Sequence, residues 1–190
     1  MRRCPNRSLT VVGDLAQRES PAGARSWGAM LDRYVPDRWA YRQLTVNYRM
    51  PTEIMEVAAD VLTEVDPSLQ PPKSVRSNGI QPWARRVRPG QLSAAVAEAL
   101  RTEAANIGAG SIAVIAPDGA GLDVEATVLA PRAAKGLEFD AVVLVEPHRI
   151  LDGRPHGAAE LYVALTRSTQ RLGVLHTEEL PSALRRLGTG

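Results

Sequence analysis

The chain has 190 residues, which suits one domain, or one domain with part of another. Hydrophobic residues make up 44% and charged residues 23%, the balance of a globular fold rather than of a disordered or fibrous chain. A net charge of +2 neither demands nor excludes nucleic acid, and Cys4, the only cysteine, excludes an intrachain disulfide and a thiolate metal site.

No apolar run is long enough to span a membrane, so no membrane partner is expected. The start, Met1 to Arg7, lacks the apolar stretch of a signal peptide, and a reducing cytoplasm is the expected location. His148, His156 and His176 are not spaced as ligands, so no metal site is expected in the chain.

In chain order, Ser8 to Val12 reads as a short buried strand ending at Gly13-Asp14. A short helical piece follows near Ala29 to Tyr34, and Arg42 to Val46 reads as a strand with Asn47-Tyr48-Arg49 at its end. Pro51 suits the first turn of a helix whose apolar stripe is Ile54, Met55, Val57, Ala58, Val61 and Leu62. Residues 66–89 read as an irregular connection with one short strand near Trp83 to Val87. A second stripe, Leu92, Ala95, Val96, Ala99, Leu100 and Ala104, predicts a helix stopped by Gly108.

Ser111 to Ala116, Glu125 to Leu129 and Ala141 to Val145 are strand-length apolar runs. Glu160 to Ser168 reads as an amphipathic helix, Arg171 to His176 as a strand, and Pro181 to Leu187 as a last short helix. Continuous rather than alternating apolar strands, interleaved with helices, predict a doubly wound, mostly parallel α/β sheet covered on both faces. Ligand-binding groups in such sheets gather where strands end and helices begin. Gly13-Asp14, Asn47-Tyr48-Arg49 and Ala133 to Glu138 are all expected at such junctions.

Each of these segments has two readings. Gln17, after Gly13-Asp14, either orients a water or touches a phosphate oxygen, or is a solvated residue after a turn. Tyr48 and Arg49 offer a stacking face beside a guanidinium fork, or a half-buried tyrosine with an arginine paired to a carboxylate. In Lys135-Gly136-Leu137-Glu138-Phe139, Gly136 allows close backbone approach to a ligand and Glu138 can accept from ribose hydroxyls; the alternative is a turn with a surface Lys-Glu pair. Arg167, held by a packed helix, stabilises charge on a transferred phosphoryl group or serves the helix dipole.

Taken together and in order, Thr10 to Asp14 with Gln17, Leu44 to Arg49, Ala134 to Asp140, and Tyr162 to Arg167 resemble motifs III to VI of superfamily 1 helicases of the UvrD/Rep class. The resemblance implies a RecA-like, P-loop NTPase-type fold. It implies residues 1–22 as a remnant of the first RecA-like lobe and residues 23–190 as the second. By the same resemblance, Gln17 senses the γ-phosphate, Tyr48 stacks near adenine, Glu138 meets the ribose, and Arg49 and Arg167 contact phosphate, with Gly136 in the nucleotide-facing loop.

No Gly-x-x-x-x-Gly-Lys-Ser/Thr loop occurs in the chain. The intact parent is therefore expected to use ATP and Mg²⁺ through a phosphate loop and acidic motif on its first lobe, upstream of Met1. The fragment alone, without these Walker A and B motifs, is expected to be inactive and to hold no cofactor.

Two departures from the family pattern bear on the target. The connection between Arg49 and Lys135 is too short for a large 2B insertion. Ala130, Arg132 and Ala133 stand where family members that grip single-stranded DNA carry Thr-x-His-Ser, leaving Arg132 as a general phosphate contact. Residues 145–147 and 161–172 resemble the HelD/HelR-type branch, which implies RNA polymerase as the favoured partner over single-stranded DNA. The alternative is a non-catalytic binding module that docks on polymerase or nucleic acid through Arg76, Arg85, Arg86 and Arg88.

Overall fold

A computed structural model describes residues 8–17, 26–152 and 156–189. Its elements in chain order begin with a 3₁₀ turn, Leu15–Gln17, then α1 (Trp27–Leu31), β1 (Val46–Pro51), α2 (Thr52–Val65), β2 (Lys73–Arg76) and β3 (Trp83–Arg86). A 3₁₀ turn (Pro89–Gln91) leads into α3 (Leu92–Ile107), followed by β4 (Ile112–Ile115), β5 (Val128–Leu129) and β6 (Phe139–Val145). The chain then forms α4 (Pro147–Leu151), α5 (Gly157–Leu165), β7 (Ser168–His176), a 3₁₀ turn (Ser182–Leu184) and β8 (Gly188–Thr189).

Six strands form one sheet in the order β5-β4-β6-β7-β3-β8, every pair parallel. β1 and β2 pair, also parallel, as a separate two-stranded sheet. Alternation along β6 splits its fully buried side chains between two cores. Val142 and Leu144 pack with α2 and α5 through Ile54, Val57, Ala58, Val61, Leu161 and Leu165. Val143 and Val145 pack with α3 through Leu92, Ala95, Val96 and Ala99. Helices therefore cover both faces, which explains the uninterrupted apolar strands, and the fold is α/β and RecA-like as the sequence predicts.

Several local expectations change. Ser8 to Val12 is not a strand: no described strand pairs with it, and Val12 is 86% exposed. An apolar run becomes a strand only when a partner satisfies its backbone. Helix α1 starts earlier than expected because the Ser26 hydroxyl accepts from Ala29 N at 3.0 Å and caps it. β1 begins where the predicted strand ends and includes Asn47-Tyr48-Arg49, because Asn47 pairs with Ser74 of the unforeseen β2. Pro51 therefore ends the strand and caps α2 with extended backbone rather than entering its first turn.

Only Val128 and Leu129 of the predicted fifth strand pair with β4. The last predicted helix is one 3₁₀ turn. Helix α5 is buried all round rather than amphipathic, since it lies between the sheet and α2.

On α3, Ala104 is exposed and Glu103 occupies the buried position. Its carboxylate accepts from Trp83 Nε1 at 3.1 Å and pairs with Arg171 Nε, so the buried charge is compensated from β3 and β7. The Trp83 indole lies directly over Gly173, its partner in register.

Candidate functional site

The turn Lys135-Gly136-Leu137-Glu138 precedes β6, and the two-residue link Thr166-Arg167 precedes β7. Phe139 N donates to Arg167 O at 2.9 Å, holding the starts of these two strands side by side. The candidate site therefore lies outside the amino ends of β6 and β7. This corrects the expectation of a strand-to-helix junction for Ala133 to Glu138, whereas Asn47-Tyr48-Arg49 lies in β1, the strand that runs directly into α2. The carboxyl-end rule holds for ligands bound by loops that leave the strands; here the groups sit on segments that lead into them.

Gly136 has φ +81°, a left-handed conformation that glycine adopts without strain, and it turns the chain so that its neighbours reach three separate elements. Lys135 Nζ donates to Gln17 O at 3.0 Å. Leu137 O accepts from Arg167 Nη1 at 3.2 Å. Glu138 Oε1 pairs with Arg49 Nη1 at 2.8 Å. Gln17, Arg49, Gly136, Glu138 and Arg167 are thus brought together by one four-residue turn. Tyr48, next to Arg49, stays 72% exposed.

Arg167 does not project from a helix end. It is 5% exposed, and Nε and Nη2 donate to Val163 O and Thr166 Oγ1, both at 3.0 Å. Burial, then the positive charge of Arg49, make its guanidinium less basic than usual; Glu138, Tyr162 and Asp14 act the other way. Three of the five guanidinium N–H groups are used by these bonds, which fixes the plane and leaves two for a ligand. A buried arginine beside a second arginine, with Glu138 as a half-exposed counterion, favours an anion.

Asp14 accepts from Ala16 N and from Gln17 Nε2, each at 2.8 Å. Tyr162 of α5 is 5% exposed, and burial, then the charge of Asp14, push its hydroxyl up to about 12. The roles of Asp14 and Tyr162 in this cluster are missed by sequence reasoning. The i, i+3 spacing of Asp14 and Gln17, which stacks them on one 3₁₀ turn, is the signal that reveals the first.

Arg132 Nε donates to the buried Glu160 at 2.7 Å, and both border a shallow pocket with Gln17, Pro131, Lys135, Ala159 and Val163. Arg76 donates to Arg49 O, Arg85 forks onto Glu98, and Arg86 donates to Thr177 O, so three of the four arginines offered as a docking cluster serve the fold. Among the described residues no group of three His, Cys, Asp or Glu could hold a metal. Glu138 and Asp14 are single carboxylates beside the positive charges of Arg49 and Arg167, a donor set that does not fit a Mg²⁺ site.

A RecA-like sheet with two arginines gathered on the turn before β6 is the arrangement expected of a helicase-type motor domain of superfamily 1. The sequence profile of the viral superfamily 1 RNA helicase core domain matches residues 6–176, and the chain belongs to that family. Membership implies use of ATP and Mg²⁺ by the intact protein. Among solved structures the chain is similar to the C-terminal domain of a possible DNA helicase from Lactobacillus plantarum WCFS1, at 16% identity and TM-score 0.54, covering 74% of this chain and 94% of that one. At that identity the likeness concerns the fold. No individually curated protein matches the chain. No described helix is long and apolar enough to cross a membrane.

Proposed function

We propose that this chain is the second RecA-like lobe of an ATP-driven superfamily 1 motor, with residues 23–190 forming that lobe and residues 1–22 the end of the first. ATP would sit between this lobe and one that carries the phosphate loop. Arg167 is the observation that carries the reading: a guanidinium buried, held by three hydrogen bonds and kept beside Arg49. As water adds to the γ-phosphorus and the bond to the bridging oxygen breaks, negative charge grows on the leaving ADP oxygen. Arg167, fixed by its hydrogen bonds, stabilises that charge with little reorganisation, and Arg49 adds a second positive charge once it leaves Glu138.

Tyr48 is exposed and placed to stack on a base, and Glu138 accepts from a ribose when it leaves Arg49. Gln17 orients the attacking water or contacts the γ-phosphate. None of the described residues supplies the amide cradle or magnesium ligands, so the isolated chain should not turn over ATP.

For the target, the lack of Thr-x-His-Ser donors and the commitment of Arg132 to Glu160 weaken a DNA-tracking role. RNA polymerase, the partner that the HelD/HelR-type resemblance implies, is favoured over single-stranded DNA. In the intact protein, Arg167→Ala should lower kcat by about a thousandfold or more while ATP binding is largely retained. Equal loss of binding and turnover would instead make Arg167 a ground-state or folding residue. Metal-dependent turnover by the 190-residue chain alone would overturn the two-lobe reading.

A further inference from the structure

Gln17 is gripped from two sides. Its side-chain Nε2 donates to Asp14 Oδ2 at 2.8 Å, and its backbone carbonyl accepts from Lys135 Nζ at 3.0 Å. The other Asp14 oxygen accepts from Ala16 N at 2.8 Å, so the carboxylate is held by the turn that it orients. An amide placed against a carboxylate must offer its NH₂ end, since two acceptor oxygens repel. The flip of the Gln17 amide is thereby decided, with Oε1 turned away from Asp14. Lys135 belongs to the turn whose next residues bind Arg167 and Arg49. The grip on Gln17 and the placement of both arginines therefore share one short piece of backbone.

We infer that Asp14 and Lys135 are positioning residues that lock Gln17 in one orientation, Asp14 through the side chain and Lys135 through the main chain. This rests on the ATPase reading for its consequence, because a locked amide matters most where a water or phosphate must be met at fixed geometry. A displacement on the order of 1 Å at such a group can lower a rate about a hundredfold. Neither residue need touch nucleotide, and each acts through Gln17.

The test has two arms. In the 190-residue chain, hydrogen exchange at the Ala16 amide should be about tenfold faster in Asp14→Ala, which removes its acceptor. The Gln17 side-chain NH₂ resonances, assigned by their loss in Gln17→Ala, should move to solvent-exposed positions in both Asp14→Ala and Lys135→Ala. Lys135→Arg, which keeps a donor, should restore them. Unchanged exchange and resonances in both alanine variants would show that no brace exists.

In the full-length protein, each alanine variant should lower kcat about tenfold to a hundredfold with KM for ATP little changed. Added to Gln17→Ala, neither should lower it further, because residues acting through one group are not additive. Full additivity, or a rise in KM with kcat intact, would overturn the positioning role. A native protein without ATP turnover would defeat the ATPase reading and the catalytic consequence with it, while the exchange arm still decides the brace.

Discussion

Arg49 and Glu138 hold each other at 2.8 Å between β1 and the turn before β6, yet each side chain is about half exposed. A pair this wet contributes no more than about 1 kcal/mol to stability, so its meaning lies in what it releases. On the ATPase reading proposed above, opening it would free an acceptor for ribose and a guanidinium for phosphate in the same motion.

Glu138→Gln should therefore shift the thermal unfolding of the chain by no more than a few degrees. In the full-length protein it should weaken ATP binding while tripolyphosphate binds at least as tightly, because one negative charge beside two arginines is gone. Calorimetry with the two ligands reads the ratio. Parallel weakening of both would mean that Glu138 acts only by placing Arg49.

Gly136 has a left-handed backbone, and a Cβ there would meet nothing within 4 Å. Gly136→Ala should therefore cost about 1–2 kcal/mol of backbone strain without a clash. Denaturant unfolding gives the cost. A larger loss of ATP turnover than that strain accounts for would show the turn shifting Leu137 and Glu138.

Gly173 is a different case. A Cβ at that position would lie 2.2 Å from Trp83 Cζ2, and the indole is held by its bond to Glu103. Gly173→Ala should destabilise the fold by several kcal/mol, in the range of core overpacking or more, and Trp83→Leu combined with it should recover part of the loss. Equilibrium unfolding of the single and double variants checks both.

Tyr162 ties stability to alkaline pH. Its folded-state hydroxyl ionises near 12, above the ordinary tyrosine value. The unfolded chain therefore loses that proton first, and the stability it lends is intact below the ordinary value and lost as pH rises towards 12. Tyr162→Phe should flatten this part of the decline, measured as unfolding free energy between neutral pH and about pH 11. An unchanged slope would mean that the hydroxyl is solvated in the fold.

Asp140 gives the acid counterpart. Its carboxylate accepts from the Ser111 amide and hydroxyl and from Gln170 Nε2, and the Ser111 backbone bond is the main cause of its lowered pKa. The stability it lends is present above the ordinary aspartate value and lost as pH falls through the lower folded-state value. Asp140→Asn should lower stability at neutral pH and reduce its dependence on acid, as read by unfolding at pH 7 and below pH 4.

The doubly covered parallel sheet was legible because Ala141 to Val145 and Ser111 to Ala116 are apolar without alternation, which only burial on both faces explains. The stripe from Ile54 to Leu62 revealed α2 for the same reason of period. Ser8 to Val12 misled, since an apolar run looks the same with or without a partner strand. The polar segment Lys73 to Arg76 gave no strand signal because its structure comes from pairing with β1. The linear chain identified Gln17, Tyr48, Arg49, Gly136, Glu138 and Arg167 only as ordered pieces of motifs. Which of them meet was decided in three dimensions, where single hydrogen bonds spanning up to 118 residues tie them to one turn at the amino ends of two strands. Local pattern records which face of an element is buried; it holds no record of which polar groups from distant elements satisfy one another, and that choice belongs to the packed sheet.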